Sequence, residues 1–311
     1  RRRRRRKLNL GPIDQRMISG ITILCFAASY AVALALEVSR LLFRSGVRGA
    51  LMLSFGAAGF LAHTAFLGYR AAAVTQAPLS SPFDWYLVAA WVLAGLYLGL
   101  TVQYPRTPVG LFILPLVLGL IGVARFLADQ QPFARGSASQ FWGMIHGAFL
   151  LLGVLAVLAG FVAGLMLLVQ SYRLKHKMAG GERLRLPSLE SLERAGARLT
   201  MAAPWMLALG FLSGVILNQV NHHRQLDDVV PWSDPVVWSF TLLLAWATAA
   251  ALFCALYKPA RQGRKVAYLT LTSFLFLLLW LGIRLSIPSE HGVSPVVAAP
   301  LPSASQAGGP A

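Results

Sequence analysis

Charge is what this sequence has least of. Of 311 residues only 13% are Asp, Glu, Lys or Arg, against about 25% in average soluble domains. Acid is scarcer still, at 11 Asp and Glu against 28 Lys and Arg, for a net charge of +17. A water-soluble globule of this size would have too little polar surface to cover itself, which argues against a cytosolic enzyme. Cysteine is nearly missing as well. Cys25 and Cys254 both lie inside apolar stretches, and with no CxxC the chain carries no thiol-redox motif. Without CxxCH it is not itself a c-type cytochrome. What remains is hydrophobic: 57% of the residues, with mean hydropathy +0.62. A sequence pI near 11 raises nucleic acid as a partner. The bases, however, fall in short runs between long apolar blocks, which is the pattern of a polytopic membrane protein, and no nucleic-acid partner is expected.

A helix needs about 20 mostly apolar residues to cross the hydrocarbon core. Eight stretches qualify, roughly 18–39, 50–69, 85–103, 107–128, 143–171, 200–220, 236–257 and 267–286. The expected fold is an all-α polytopic membrane protein, a bundle of about eight transmembrane helices with no soluble domain. The longest polar segment, 172–199, contains PSLESLERAGARL, which reads as a short amphipathic helix. Ser188 is its N-cap, and Leu189, Leu192 and Leu199 share a face. From about 292 onward the chain is rich in Pro, Ala, Ser and Gly, and 292–311 is expected to be a disordered tail.

Cytoplasmic loops retain Lys and Arg. One set of loops holds Arg40, Arg44, Arg48, Arg106, seven Lys and Arg in 172–199, and Lys258, Arg261, Arg264 and Lys265. The other set holds Arg70, Arg135 and Arg224, with Arg125 and Arg284 at helix ends. This asymmetry puts 172–199 in the cytoplasm and 221–235 outside. The run from Arg1 to Lys7 conflicts with it, because eight spans leave the N-terminus outside. Two resolutions stay open. The natural start is Met17, with 1–16 not part of the mature protein and the membrane domain running 17–291, or one of the eight spans does not cross.

Chemistry must come from the few polar residues near the membrane. His176 sits in the basic loop and reads as an ordinary surface residue. His146, in FWGMIHGAF, lies at the outer end of span five; His291, in SIPSEHGV, lies just beyond span eight. Between them comes the outer loop ILNQVNHHRQLDDVVPWSDPVVW, with His222, His223, Trp232, Asp234 and Trp238. His63 lies in the outer half of span two. Two outer histidines around a tryptophan-bearing loop suit a planar metal-containing ligand, since neutral imidazoles ligate haem iron and aromatic rings pack on the porphyrin. Zinc would want three or four ligands at recognisable spacing. The plainer reading is also open. Tryptophans such as Trp85, Trp142 and Trp232 populate membrane interfaces in any case, and a helix-end histidine is often simply hydrogen-bonded. Gly160-FVA-Gly164 and Gly210-FLS-Gly214 permit close helix approach, and pairing of spans five and six would bring His146 near the outer loop. Glu37 reads as a local ion-pair partner of Arg40.

Taken in order, HTAFLGYRAAAVTQAPLSSPFDWYLVAAW, WGMIHGAFLLLG, LPSLESLERAGAR, GFLSGVILNQV, PWSDPVVW and RKVAYLTLTSFLFLLLWLGIRLSIPSEH resemble the CcsA/CcmC/HemX group of membrane haem-handling proteins of cytochrome c maturation. The resemblance covers His63 to His291, most of the chain. It implies that His146 and His291 are axial ligands of a haem (haem b, as presented substrate) at the outer face of the cell (inner) membrane. Trp232, Asp234 and Trp238 would belong to the loop cradling it, and His63 would be the intramembrane histidine that some members use. Haem would be offered to apocytochrome c bearing CxxCH, with a ResB-like assembly partner, as part of a haem-lyase assembly. Arg125 and Arg284 would serve the propionates or act as interfacial anchors. The outer loop departs from the family's pattern. Ser233 stands where Trp usually precedes Asp, Val236 and Val237 replace charged residues, and 236–257 has no histidine, with Cys254 near the expected place. The alternative is a HemX-like regulator of haem biosynthesis that attaches no haem and uses the basic 172–199 segment to contact a cytosolic partner. A small-solute transporter would show an inverted repeat or broken helix pair, and neither is evident.

Overall fold

The computed structural model describes residues 22–42, 46–73, 79, 81–105, 107–130, 137–176, 186–223 and 229–287. These hold eight α-helices and no strand: α1 Ile23–Leu42, α2 Gly46–Ala73, α3 Pro82–Gln103, α4 Gly110–Phe126, α5 Ser137–Lys175, α6 Leu189–His223, α7 Pro235–Leu256 and α8 Gly263–Ser286. A 3-10 turn, Lys258–Arg261, joins α7 to α8. Seven helices are long and apolar enough to span a membrane; α4, at 17 residues, is the short one. The all-α polytopic reading is borne out. The segments 1–16 and 292–311 lie outside the described residues.

Short as it is, α4 still runs from one end of the bundle to the other. Its first residue, Gly110, packs against Tyr97 near the end of α3 and Glu37 near the end of α1. Just past its last turn, the Asp129 carbonyl accepts from Phe83 N–H at the start of α3, 3.2 Å away. Helix order therefore alternates through all eight elements, and the puzzle of the basic N-terminus falls on residues outside the described set.

The helices form two groups. α1 packs on α2 and α4 while α3 packs on α4; α5 packs on α6 and α8, and α7 bridges α6 and α8. Contacts of α5 with α3 and α4 are sparser. The first group buries Phe26, Tyr30, Phe83, Leu87 and Tyr97; the second buries Leu167, Leu207 and Leu243.

The amphipathic segment is not a separate element. Ser188 does cap it, its Oγ accepting from Ser191 N–H at 3.3 Å, but the helix continues without a break into span six as α6. Leu192, Gly196, Ala197 and Thr200 are buried, and Gly196 lies against Val266 of α8, so tertiary packing holds the junction helical. Pro204 inside α6 forgoes one backbone hydrogen bond, which a buried, packed helix tolerates. At 1.5 Å per residue, the 39 residues of α5 run about 58 Å, well beyond the roughly 30 Å hydrocarbon core.

The loop termini are built by short polar devices. Ser81 caps α3, with Pro82 next, and Asp234 caps α7, with Pro235 next. Both place proline at the first helical position, where its missing N–H costs nothing. The start of α8 has no side-chain cap of its own. Glu193 on α6 supplies one across space, its Oε1 accepting from Gly263 N–H at 2.7 Å. Gly263 sits at φ +60°, a conformation that favours glycine.

Candidate functional site at the His146 end of the bundle

The Gly210-FLS-Gly214 motif faces α5, as its spacing implies. A Cβ at Gly210 would stand 2.5 Å from Leu150 Cδ2, and one at Gly214 would stand 2.8 Å from both Cε1 and Nδ1 of His146. The absence of those two side chains lets α5 and α6 approach and seats the imidazole on α6. His146 Nδ1 then donates to the Gly210 carbonyl at 2.7 Å. A carbonyl only accepts, so Nδ1 carries the proton and Nε2 carries the lone pair. This is the tautomer that a metal-ligating histidine needs, fixed by a backbone oxygen. The other glycine pair behaves differently. Gly160 lies 3.5 Å from Thr270 Cγ2, and Gly164 meets the Thr270 hydroxyl and the Ala267 carbonyl, so this motif mainly receives α8.

His146 lines a cavity together with Phe211, Gly214 and Asn218 of α6, Val236 and Phe240 of α7, Trp280 of α8, and Val230 to Trp232 of the preceding loop. Four walls come from α5, α6, α7 and α8, and the loop forms the rim. Aliphatic side chains and the rings of Phe211, Trp232, Phe240 and Trp280 make up most of the lining. Phe240 is edge-on to Trp280 at 6.2 Å and stacked on Phe211 at 6.1 Å. The indole Nε1 of Trp280 is buried without a hydrogen-bond partner among the described residues. On the far side of His146, Gly147 lies in contact with the Trp85 indole of α3. An apolar slot with one imidazole in its wall suits a flat, mostly apolar molecule bearing a metal or an acceptor group.

The residues singled out from sequence distribute as follows. Trp232 lines the cavity with His146 while remaining 56% exposed. Asp234 is buried at 3% exposure, its Oδ1 accepting from Val236 N–H at 2.8 Å, so its carboxylate shapes the rim by starting α7. Trp238 is 66% exposed on α7 and does not line the cavity. His222 and His223 are exposed in the last turn of α6. His63 is elsewhere, fully buried between α1 and α2. Its ring stacks at 4.2 Å on Phe26, Nδ1 lies 3.5 Å from the Tyr30 hydroxyl, and Nε2 has no hydrogen-bond partner among the described residues. A metal could reach that nitrogen only if the two helices part. Arg125 sits beside the ring of Phe126, and Arg284 occupies the last turn of α8. His291 lies outside the described residues. The Glu37–Arg40 pair forms at 3.5 Å, and Arg40 also donates to the Pro105 carbonyl at 2.9 Å, so the pair ties α1 to the α3–α4 connection.

Other features emerge only in three dimensions. Asp84, buried at the start of α3, accepts from Arg70 Nε at 2.8 Å and from Ser81 Oγ at 2.8 Å, while the Arg70 guanidinium covers the Phe83 ring at 4.6 Å. This ion pair pins the end of α2 to the start of α3. Arg70 and Asp84 are far apart on the helical wheel of any single element, so no periodicity announced them. Phe211, Phe240 and Trp280 read as ordinary span residues in the sequence and become cavity lining only when four helices converge.

No curated protein and no solved structure matches the chain. A family model described as "Cytochrome C assembly protein" matches residues 79–289, a stretch that holds α3 to α8 and every wall of the cavity. That match covers more than half of the chain, and the protein belongs to the cytochrome c assembly family, whose work is the biogenesis of cytochrome c.

Proposed function

We propose that the protein holds haem b at the outer face of the inner membrane and presents it for covalent attachment to apocytochrome c. The observation that carries this reading is His146: its Nδ1 is committed to the Gly210 carbonyl, which fixes the tautomer, and the residue lines an apolar slot. Haem is the substrate here, and its vinyl groups supply the carbons that the CxxCH thiols of apocytochrome c attack. Within this reading His146 and His291 are the two axial ligands. Support for the pairing is that α8, five residues before His291, ends at the same end of the bundle, and its Trp280 already lines the His146 cavity. Trp232 closes the slot from the rim and Asp234 holds that rim by capping α7. Trp238, exposed outside the cavity, offers an aromatic surface to a ResB-like partner or to the membrane interface. In this reading Arg284, in the last turn of α8, serves a propionate or anchors the helix at the interface.

The chain's own contribution is positioning. Burial of porphyrin against the aromatic lining favours binding by roughly 25 cal/mol per Å² of apolar surface, and the two imidazoles fix which edge faces the apocytochrome. Hemin titration of the detergent-purified chain tests this: a Soret band typical of bis-imidazole iron is expected, with loss of that band and of cellular cytochrome c in the His146→Ala and His291→Ala variants. Absence of the band in the wild-type chain, or normal cytochrome c levels in both variants, overturns the proposal. Altered tetrapyrrole levels with intact haem attachment in a deletion strain would instead favour the regulatory, HemX-like reading.

A further inference from the structure

Asn218 lies on the same stripe of α6 as Gly210 and Gly214, four residues further along. Its side-chain amide makes two bonds to one residue of the loop. Nδ2 donates to the Val230 carbonyl at 3.0 Å, and Oδ1 accepts from Val230 N–H at 2.9 Å. A primary amide presents the same donor and acceptor pair as a peptide group, so Asn218 pairs with Val230 as a neighbouring strand would. Two bonds from one planar group fix orientation as well as distance. Asparagine is a poor helix former, and a half-buried amide is costly unless it is bonded. The two bonds to Val230 are what offset both.

The consequence concerns the rim. Asn218, Val230, Pro231 and Trp232 all line the cavity that His146 lines. Four residues after Val230, Asp234 starts α7, so the segment from Val230 to Asp234 is tethered at both ends. Trp232 sits in the middle of it. We propose that Asn218 is the positioning residue that sets the mouth of the His146 cavity, by clamping the Val230 backbone so that Trp232 stays in the cavity lining. The clamp stands on geometry alone; its consequence for ligand binding rests on the haem reading given above.

The test uses the full chain in detergent and two variants, Asn218→Ala and Asn218→Asp. Asn218→Ala removes both bonds. Asn218→Asp keeps an acceptor for Val230 N–H but turns a second oxygen toward the Val230 carbonyl. Amide hydrogen exchange over 229–233 is one readout, and hemin titration followed at the Soret band is the other. Two bonds of ordinary strength correspond to about thirtyfold faster exchange in that segment for Asn218→Ala, with exchange in α1 to α4 unchanged. Asn218→Asp should fall between it and wild type. Hemin affinity should drop by about tenfold with the Soret maximum unmoved, because the ligand His146 is untouched. Wild-type exchange in both variants overturns the clamp. A Soret maximum displaced as in His146→Ala overturns the positioning role, since Asn218 would then act on the ligand itself. If the wild-type chain takes up no hemin, the haem reading fails by itself and the exchange measurement alone decides the clamp.

Discussion

Gly214→Ala adds one methyl group where the structure has no room for it. The new carbon would stand 2.8 Å from Cε1 and 2.8 Å from Nδ1 of His146, whereas carbon atoms rest about 3.5–4.0 Å apart. The imidazole must retreat by at least about 0.7 Å. Its Nδ1 now sits 2.7 Å from the Gly210 carbonyl, so that retreat stretches the bond past the ordinary range of about 2.7–3.2 Å. A lost hydrogen bond costs about 1 kcal/mol, and overpacking in a fitted site typically adds about 1–3 kcal/mol. The variant should therefore lose roughly 2–4 kcal/mol of stability and lower its melting temperature in detergent by several degrees. It should also weaken hemin binding and broaden the Soret band, because the ring is no longer held in one tautomer. Gly68→Ala is the control. That glycine lies within α2 with nothing inside 4 Å of its would-be Cβ, and alanine there should be neutral or stabilising by up to about 1 kcal/mol. If Gly214→Ala melts and binds hemin as wild type does, the glycine seat is not what fixes His146, and the reasoning from the stripe on α6 fails.

Three further expectations follow the same logic. Arg70→Met should destabilise by about 3 kcal/mol by stranding the buried Asp84 carboxylate, and combining it with Asp84→Asn should cost less than the two separate losses in a thermal-melt double-mutant cycle; additive losses would mean the pair is not coupled. Glu193→Ala should cost about 1 kcal/mol by leaving the α8 start uncapped, with Glu193→Gln recovering much of it; equal losses in both would assign the effect to charge instead. His63→Phe keeps an aromatic ring on Phe26 and removes the orphaned Nε2, so stability should change by less than about 1 kcal/mol; if His63 handles haem in transit, cytochrome c levels fall in this variant despite normal melting.

Much of the fold was legible because membranes impose one-dimensional rules. A span needs its length of apolar residues whatever it packs against, so all eight helices could be located, with α5 and α6 longer than their apolar cores. Ser188 as a cap was readable for the same reason: capping is local, acting over three residues. The continuity of the 188–199 helix with span six was not readable, because the junction is held by Gly196 and Thr200 packing in the second helix group rather than by any local signal. Glycine pairs showed where helices approach but not which partner arrives; one pair met α5, the other chiefly α8.

By itself the sequence determined that this chain is a polytopic helical protein of the cytochrome c assembly type, with His146 as a chemically notable residue beside a loop carrying Trp232. Apolar run length, charge asymmetry and motif order are all properties written along the chain. Only the tertiary structure decided that His146 is seated on Gly214 and bonded to Gly210, that Phe211, Phe240 and Trp280 form its slot, and that Asn218 grips Val230 at the rim. Those contacts join residues a dozen or more positions apart, and no spacing rule reaches that far: in a medium where every span is apolar, which face meets which is settled by the fit of small and large side chains between helices.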